Sequence, residues 1–291
     1  MALLLAGCAP PRGEARAEPA EAVATTAAAP AGGGSGTLAA RWAAAPGPAP
    51  GRPRVVGGPA LGCIGGAQAL PPDGPGWQAV RLSRNRNWGH PALLNFVRDL
   101  AGAARERGLP PLWIGDMAQP RGGPMPFGHA SHQTGLDVDV WLDLSPKRNT
   151  PAAAREEIQV ASLVLPNETG VAPGRWLPGH AALIRSAAEA PGVDRVLVNH
   201  AIKRELCRAH AGAPWLRRVR PWRGHDAHMH VRLACPPGEA ECRDAPPPPP
   251  GDGCDASLAW WLTPEARRPA PRPSGPPPLL PAACSEILDA R

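Results

Sequence analysis

The sequence predicts an α+β fold, a small central antiparallel sheet with flanking helices and long irregular ends pinned by disulfides. Three observations lead there. Leu136 to Asp143 and His228 to Leu233 alternate apolar and polar residues with a period of two, the mark of half-buried strands. Stretches of helical spacing lie before and between them. The 41 Pro and 33 Gly among 291 residues leave too much punctuation for a helical bundle or coiled coil, while 43% hydrophobic residues suffice for a core.

In chain order, residues 1–54 form a lipobox-like start followed by an Ala/Pro/Gly linker, which has too few large apolar groups to offset ordering entropy. A folded domain spans 55–291, with a Pro-rich C-terminal segment. His90 to Gly108 puts Leu93, Phe96, Val97 and Leu100 on one helical face, and Leu112 to Ile114 is a short buried strand. In 136–143 the apolar set is Leu136, Val138, Val140 and Leu142, against Asp137, Asp139, Trp141 and Asp143, giving one apolar and one acidic face. Residues 180–190 suit a helix, 193–199 a strand and 201–210 a helix. Met229, Val231 and Leu233 then alternate with His228, His230 and Arg232. Beyond Cys235 the chain is largely Pro-rich and held by disulfides more than by a core.

No run of about 18 apolar residues exists, which removes a transmembrane helix. Leu-Ala-Gly-Cys8 has the form of a lipobox, whose Cys carries a lipid anchor. No positive charge precedes it, so either the true start lies upstream or the match is chance. The other six cysteines, none in CxxC spacing, favour three disulfides and an oxidising compartment, with 15 pairings open. The net charge of +6 is scattered and almost all Arg. With no Tyr and two Phe, stacking platforms for nucleic acid are scarce, which argues against that partner.

Five of the nine His fall in two clusters, His129 and His132, then His225, His228 and His230. His228 and His230 share a strand face, and Asp139 projects from one face of its own strand, so imidazoles and carboxylate converge if the strands are neighbours. Gly135 allows a turn that returns His132 over the strand. Two His and a carboxylate with an open fourth position form the ligand set of a catalytic zinc site. The competing reading is a solvated acidic strand and an ordinary HxH. His90, His200 and His210 carry no partner pattern and read as surface or capping residues. Ser131 adjoins His132, but no GxSxG or SxxK surrounds it.

Gly115-Asp116, Pro120 to Pro124, Gly128 to Trp141, Val198 to Cys207, Val219 to Trp222, His225 to Leu233, Gly251 to Cys254 and Trp260-Trp261 together resemble the penicillin-insensitive murein endopeptidases, periplasmic bacterial zinc peptidases. These belong with the lysostaphin-type, D-Ala-D-Ala and hedgehog-like metallopeptidase folds, patterned His-x6-Asp and later His-x-His. The resemblance covers roughly 55–285. It implies zinc ligands His132, Asp139 and His230, a base or transition-state role for His228, and His225 as a further active-site residue. His129 matches a position tied to a second metal, whose other ligands would fall in Leu165 to Gly170. That segment holds neither the Asp nor the His, so one zinc is the count.

The resemblance further implies disulfides Cys63–Cys284, Cys207–Cys254 and Cys235–Cys242. It implies a periplasmic enzyme that hydrolyses D-alanyl to diaminopimelate cross-links of peptidoglycan through a metal-bound water, insensitive to β-lactams because no serine is acylated. Arg121, Arg220 and Arg232 would suit the carboxylates of the stem peptides, and Asp137 could orient a ligand imidazole. A zinc D-Ala-D-Ala carboxypeptidase and a catalytically silent peptidoglycan-binding protein are the alternatives.

Overall fold

A computed structural model describes residues 37–147, 149–268 and 278–291; Cys8 lies outside them. The strands are β1 (Arg54–Gly58), β2 (Leu61–Gly65), β3 (Gln68–Ala69), β4 (Asp73–Gly74), β5 (Trp77–Ala79), β6 (Trp88–Gly89), β7 (Leu112–Ile114), β8 (Asp137–Trp141), β9 (Val193–Val198), β10 (Val219–Pro221) and β11 (His228–Leu233). The helices are α1 (Leu38–Ala43), α2 (Pro91–Glu106), α3 (Pro178–Glu189), α4 (His200–His210), α5 (Ala256–Trp261), α6 (Pro264–Arg267) and α7 (Ala283–Asp289).

Seven strands form the main sheet in the order β10-β9-β11-β8-β7-β5-β4. The sheet is therefore larger than predicted, and mixed. Its centre, β9-β11-β8-β7, is antiparallel, but β10 runs parallel to β9 and β5 parallel to β7. The connections explain this: α4 separates β9 from β10 and α2 separates β5 from β7, and a helical crossover returns the chain in the same direction. The flanking strands are two or three residues long, too short to display alternation in the sequence.

The helices form for local reasons. Ring Nδ1 of His90 accepts from Ala92 N at 3.1 Å and Pro91 occupies the first turn, starting α2, whose Leu93, Leu94, Phe96, Val97 and Leu100 are buried. The Asn199 side chain accepts from Ala201 N at 2.8 Å and starts α4. These helices and the apolar face of the sheet, Val138, Val140, Met229 and Val231, enclose one core.

Part of the predicted linker is structured. Thr37 caps α1, and Trp42, 1% exposed, anchors a second small core with Val56, Cys63, Cys284 and Ile287. One Trp suffices, because an aromatic ring buries roughly 150–250 Å², whereas composition averages it away among Ala and Gly. The three disulfides join the pairs that the resemblance implied. Cys63–Cys284 ties the β1–β2 hairpin to α7. The segment after Cys235 is less irregular than predicted, since it carries α5, α6 and α7.

Candidate metal centre

The register of β8 and β11 builds the site. Asp137 lies opposite Arg232, Asp139 opposite His230 and Trp141 opposite His228, so these six side chains share one face of the sheet. That face is not solvated: Asp137 and Asp139 are 0% and 5% exposed. The competing reading of an exposed acidic strand is thereby excluded.

His132 enters from that loop. Its φ of 65° turns the imidazole over the strand, and Nδ1 donates to Met117 O at 3.0 Å, leaving the Nε2 lone pair for the site. On the opposite side, His230 donates from Nε2 to Asp137 Oδ1 at 2.7 Å, leaving Nδ1. His132 Nε2 and His230 Nδ1 stand 3.0 Å apart, and each is 3.4 Å from Asp139 Oδ1. Tetrahedral ligands at about 2.0–2.1 Å from zinc would stand about 3.3 Å apart. Asp139 Oδ1 is buried and receives no hydrogen bond among the described residues. Two imidazoles locked in the ligating tautomer around an unsatisfied carboxylate oxygen therefore fit a metal ion.

Asp139 Oδ2 faces the other imidazoles, His129 Nε2 at 3.6 Å and His228 Nε2 at 3.8 Å. His129, His132 and Asp139 present donor atoms within 4.8 Å of one another and could also hold an ion. His129 would first give up the hydrogen bond from its Nε2 to Asp116 Oδ2, 3.0 Å. His225, at φ 53°, donates from Nδ1 to Arg223 O, and its ring lies 4.9 Å from His228 and 5.9 Å from His230.

The electrostatics follow from this packing. Burial pulls the His230 pKa down, but the hydrogen bond to Asp137 and the charges of the Asp137 and Asp139 carboxylates outweigh it and hold it at about 9. Burial and the charge of His129 push His132 down to about 4. Burial lowers His228 despite Asp139, and burial with its His neighbours holds His225 well below its ordinary value. Burial would raise Asp139, but His228, His132 and His129 hold it well below the usual carboxylate range.

Asp116, which follows Gly115 after β7, carries no periodic or spacing signal that marks it as a site residue. It accepts from His129 at 3.0 Å, Arg86 at 2.9 Å and Arg84 at 3.1 Å, and these bonds outweigh burial to hold its carboxyl below the usual range. The three arginines assigned to substrate carboxylates serve the fold instead. Arg232 donates to Asp137 at 2.7 Å, Arg121 binds the carbonyls of Gly47, Ile287 and Leu288, and Arg220 is buried. His200, read as a surface residue, is 3% exposed at the start of α4, 3.9 Å from Glu168. Glu168 also accepts from Asn199, and thus faces α4. Ser131 makes no hydrogen bond to an imidazole among the described residues.

Known proteins resemble this chain over most of its length. The chain is 44% identical over 257 residues to a penicillin-insensitive murein endopeptidase of Klebsiella pneumoniae, covering 88% of this chain and 93% of the relative. It is 46% identical over 258 residues to the protein of that name in Salmonella arizonae, with the same coverage. With that of Yersinia pestis it is 46% identical over 243 residues, 83% of this chain and 88% of the relative. The sequence model of penicillin-insensitive murein endopeptidases matches residues 55–289, and the chain belongs to that family.

Proposed function

We propose that this chain is a zinc-dependent endopeptidase that hydrolyses the D-alanyl to diaminopimelate cross-links of peptidoglycan in the periplasm. The observation that carries the reading is the convergence of His132 Nε2, Asp139 Oδ1 and His230 Nδ1 at 3.0 to 3.4 Å, with both ring tautomers fixed from behind. These three atoms would hold one zinc, which when bound supplies Lewis acidity to a scissile carbonyl and brings the pKa of water toward about 7.

The remaining side chains handle protons. His228 stands beside Asp139 with its side chain 23% exposed, reachable by substrate. Its lowered pKa leaves it neutral at pH 7, able to take a proton from the attacking water and pass it to the leaving amine. His225 packs on His228 and, held neutral, adds no competing charge. Asp116 holds His129 at 3.0 Å, and His129 in turn lies 3.6 Å from the second oxygen of Asp139. Three disulfides fit an oxidising compartment, and no helix among the described residues is long and apolar enough to cross a membrane.

Digestion of purified sacculi, with products identified by mass, tests the reading. Expected is release of monomeric muropeptides from cross-linked dimers, abolished by chelator, restored by zinc and unaffected by penicillin. Cleavage that survives chelation, or that penicillin blocks, would overturn it.

A further inference from the structure

Five residues other than glycine adopt positive φ among the described residues: Arg81 (56°), Asn85 (53°), His132 (65°), Glu168 (53°) and His225 (53°). Such backbone is uphill for a residue with a Cβ and persists only where the surroundings fix it, often at functional sites. Two of the five are site histidines, and Glu168 is tied to Asn199. Arg81 and Asn85 bracket a single helical turn, Leu82–Arg84. The turn is held from outside: Arg81 N donates to Arg155 O, Ser83 bonds the Glu156 carboxylate, and the Asn85 side chain accepts from Trp88.

This turn and the residues after it carry Arg81, Arg84 and Arg86. The last two are engaged by Asp116, and Arg86 lies 4.2 Å over the Phe127 ring. Arg81 differs. Its guanidinium lies 4.8 Å over the ring of Trp141, and Trp141 in turn lies 5.3 Å from His228. Its side-chain hydrogen bond runs from Nη2 to Ile158 O at 3.2 Å, and among the described residues it forms no ion pair with a carboxylate. A guanidinium stacked on an aromatic face keeps its in-plane N–H groups for an anion, in a fork that matches a carboxylate. Asp116 is already paired with Arg84, Arg86 and His129, and Asp139 is ringed by four imidazoles within 3.8 Å, so Arg81 presents its cation at the rim of the centre with no carboxylate of the fold bonded to it.

We propose that Arg81, laid on Trp141 beside His228, binds a carboxylate of the stem peptide next to the scissile bond and so sets the register of the substrate over the centre. This deepens the endopeptidase reading and rests on it. It also moves carboxylate recognition from Arg121, Arg220 and Arg232, which the fold uses, to a residue placed at the site.

The test compares a cross-linked muropeptide dimer bearing free diaminopimelate carboxylates with the same dimer amidated at those groups, cleaved by the zinc-loaded full-length chain. Wild type should favour the acid by about 10- to 100-fold in kcat/KM, the worth of charge-assisted hydrogen bonds. Arg81→Gln should lose far more on the acid than on the amide, bringing the ratio near one, and Arg81→Lys should retain part of it. Binding of the acid dimer to the metal-free chain, followed by calorimetry, should weaken in Arg81→Gln while the melting midpoint holds. Equal losses on both dimers would make Arg81 a structural prop and overturn the proposal, as would a wild type indifferent to amidation. A wild type that cleaves neither dimer, yet binds the acid form through Arg81, would sink the endopeptidase reading and with it the register over a scissile bond, while leaving carboxylate binding by Arg81 standing.

Discussion

His230 donates its Nε2–H to Asp137 Oδ1 at 2.7 Å, and this one bond both fixes the ring tautomer and turns Nδ1 toward Asp139. Asp137 is in turn held ionised by Arg232 and His230 against a burial that would protonate it. The pair is a carboxylate–histidine support behind the ligand atom.

Asp137→Asn removes that support while keeping its shape. Zinc affinity, measured by competition with a chromogenic chelator, should fall by about 10- to 100-fold, and the loss should exceed that of any substitution at an exposed carboxylate. Unchanged affinity would mean that Asp137 serves only Arg232.

The alanine variants of His230 and His228 should fail differently. His230→Ala removes a ligand and should lose most of its zinc and its activity together. His228→Ala leaves the three converging donors in place, so zinc should stay near stoichiometric while turnover falls by roughly 10²- to 10⁴-fold. Zinc content by mass spectrometry alongside the rate on a purified dimer separates them, and equal zinc loss in both would put His228 in the coordination shell.

Metal binding should depend steeply on pH. With a pKa of about 9 in the metal-free chain, His230 is protonated at pH 7 and must give up its Nδ1 proton to ligate. His132, at about 4, is already neutral. Zinc affinity should therefore rise about tenfold per pH unit up to near pH 9, with close to one proton released at pH 7. Calorimetry in buffers of different ionisation enthalpy measures that proton. In the metal-free chain the linkage has the opposite consequence: the stability that charged His230 contributes is complete below about pH 6.5 and is lost as pH rises through about 9.

The disulfides should differ in worth. Cys63–Cys284 spans 221 residues and Cys235–Cys242 spans 7. Loop-closure entropy assigns about 5 kcal/mol to the first and about 2–3 kcal/mol to the second. Paired alanine replacements, compared by denaturant unfolding, should keep that order, and the second pair should leave zinc content intact.

Much of the centre was legible in the sequence because its carriers are periodic. Alternation in 136–143 and 228–233 put Asp137 and Asp139 on one face and His228 and His230 on one face, and Gly135 allowed the return of His132, which folds with φ 70° at that glycine. Helices α2, α3 and α4 and strands β7 and β9 lie where spacing put them, within one or two residues.

The sequence by itself determined which side chains each element projects together, since the pleat and the helical turn are local properties of the chain. The tertiary structure decided who meets whom. Periodicity names a face but not the strand beside it, so the pairing of Asp139 with His230, and the burial that makes their charges matter, came only with the register of β8 on β11. Asp116 is recruited by arginines some 30 residues before it, and Arg81 reaches Trp141 from 60 residues away. The parallel flanks of the sheet and the docking of Trp42 under the C-terminal helix are closures of the same kind. Such contacts form when the collapsed chain satisfies buried charge and apolar area across distances that no local pattern encodes.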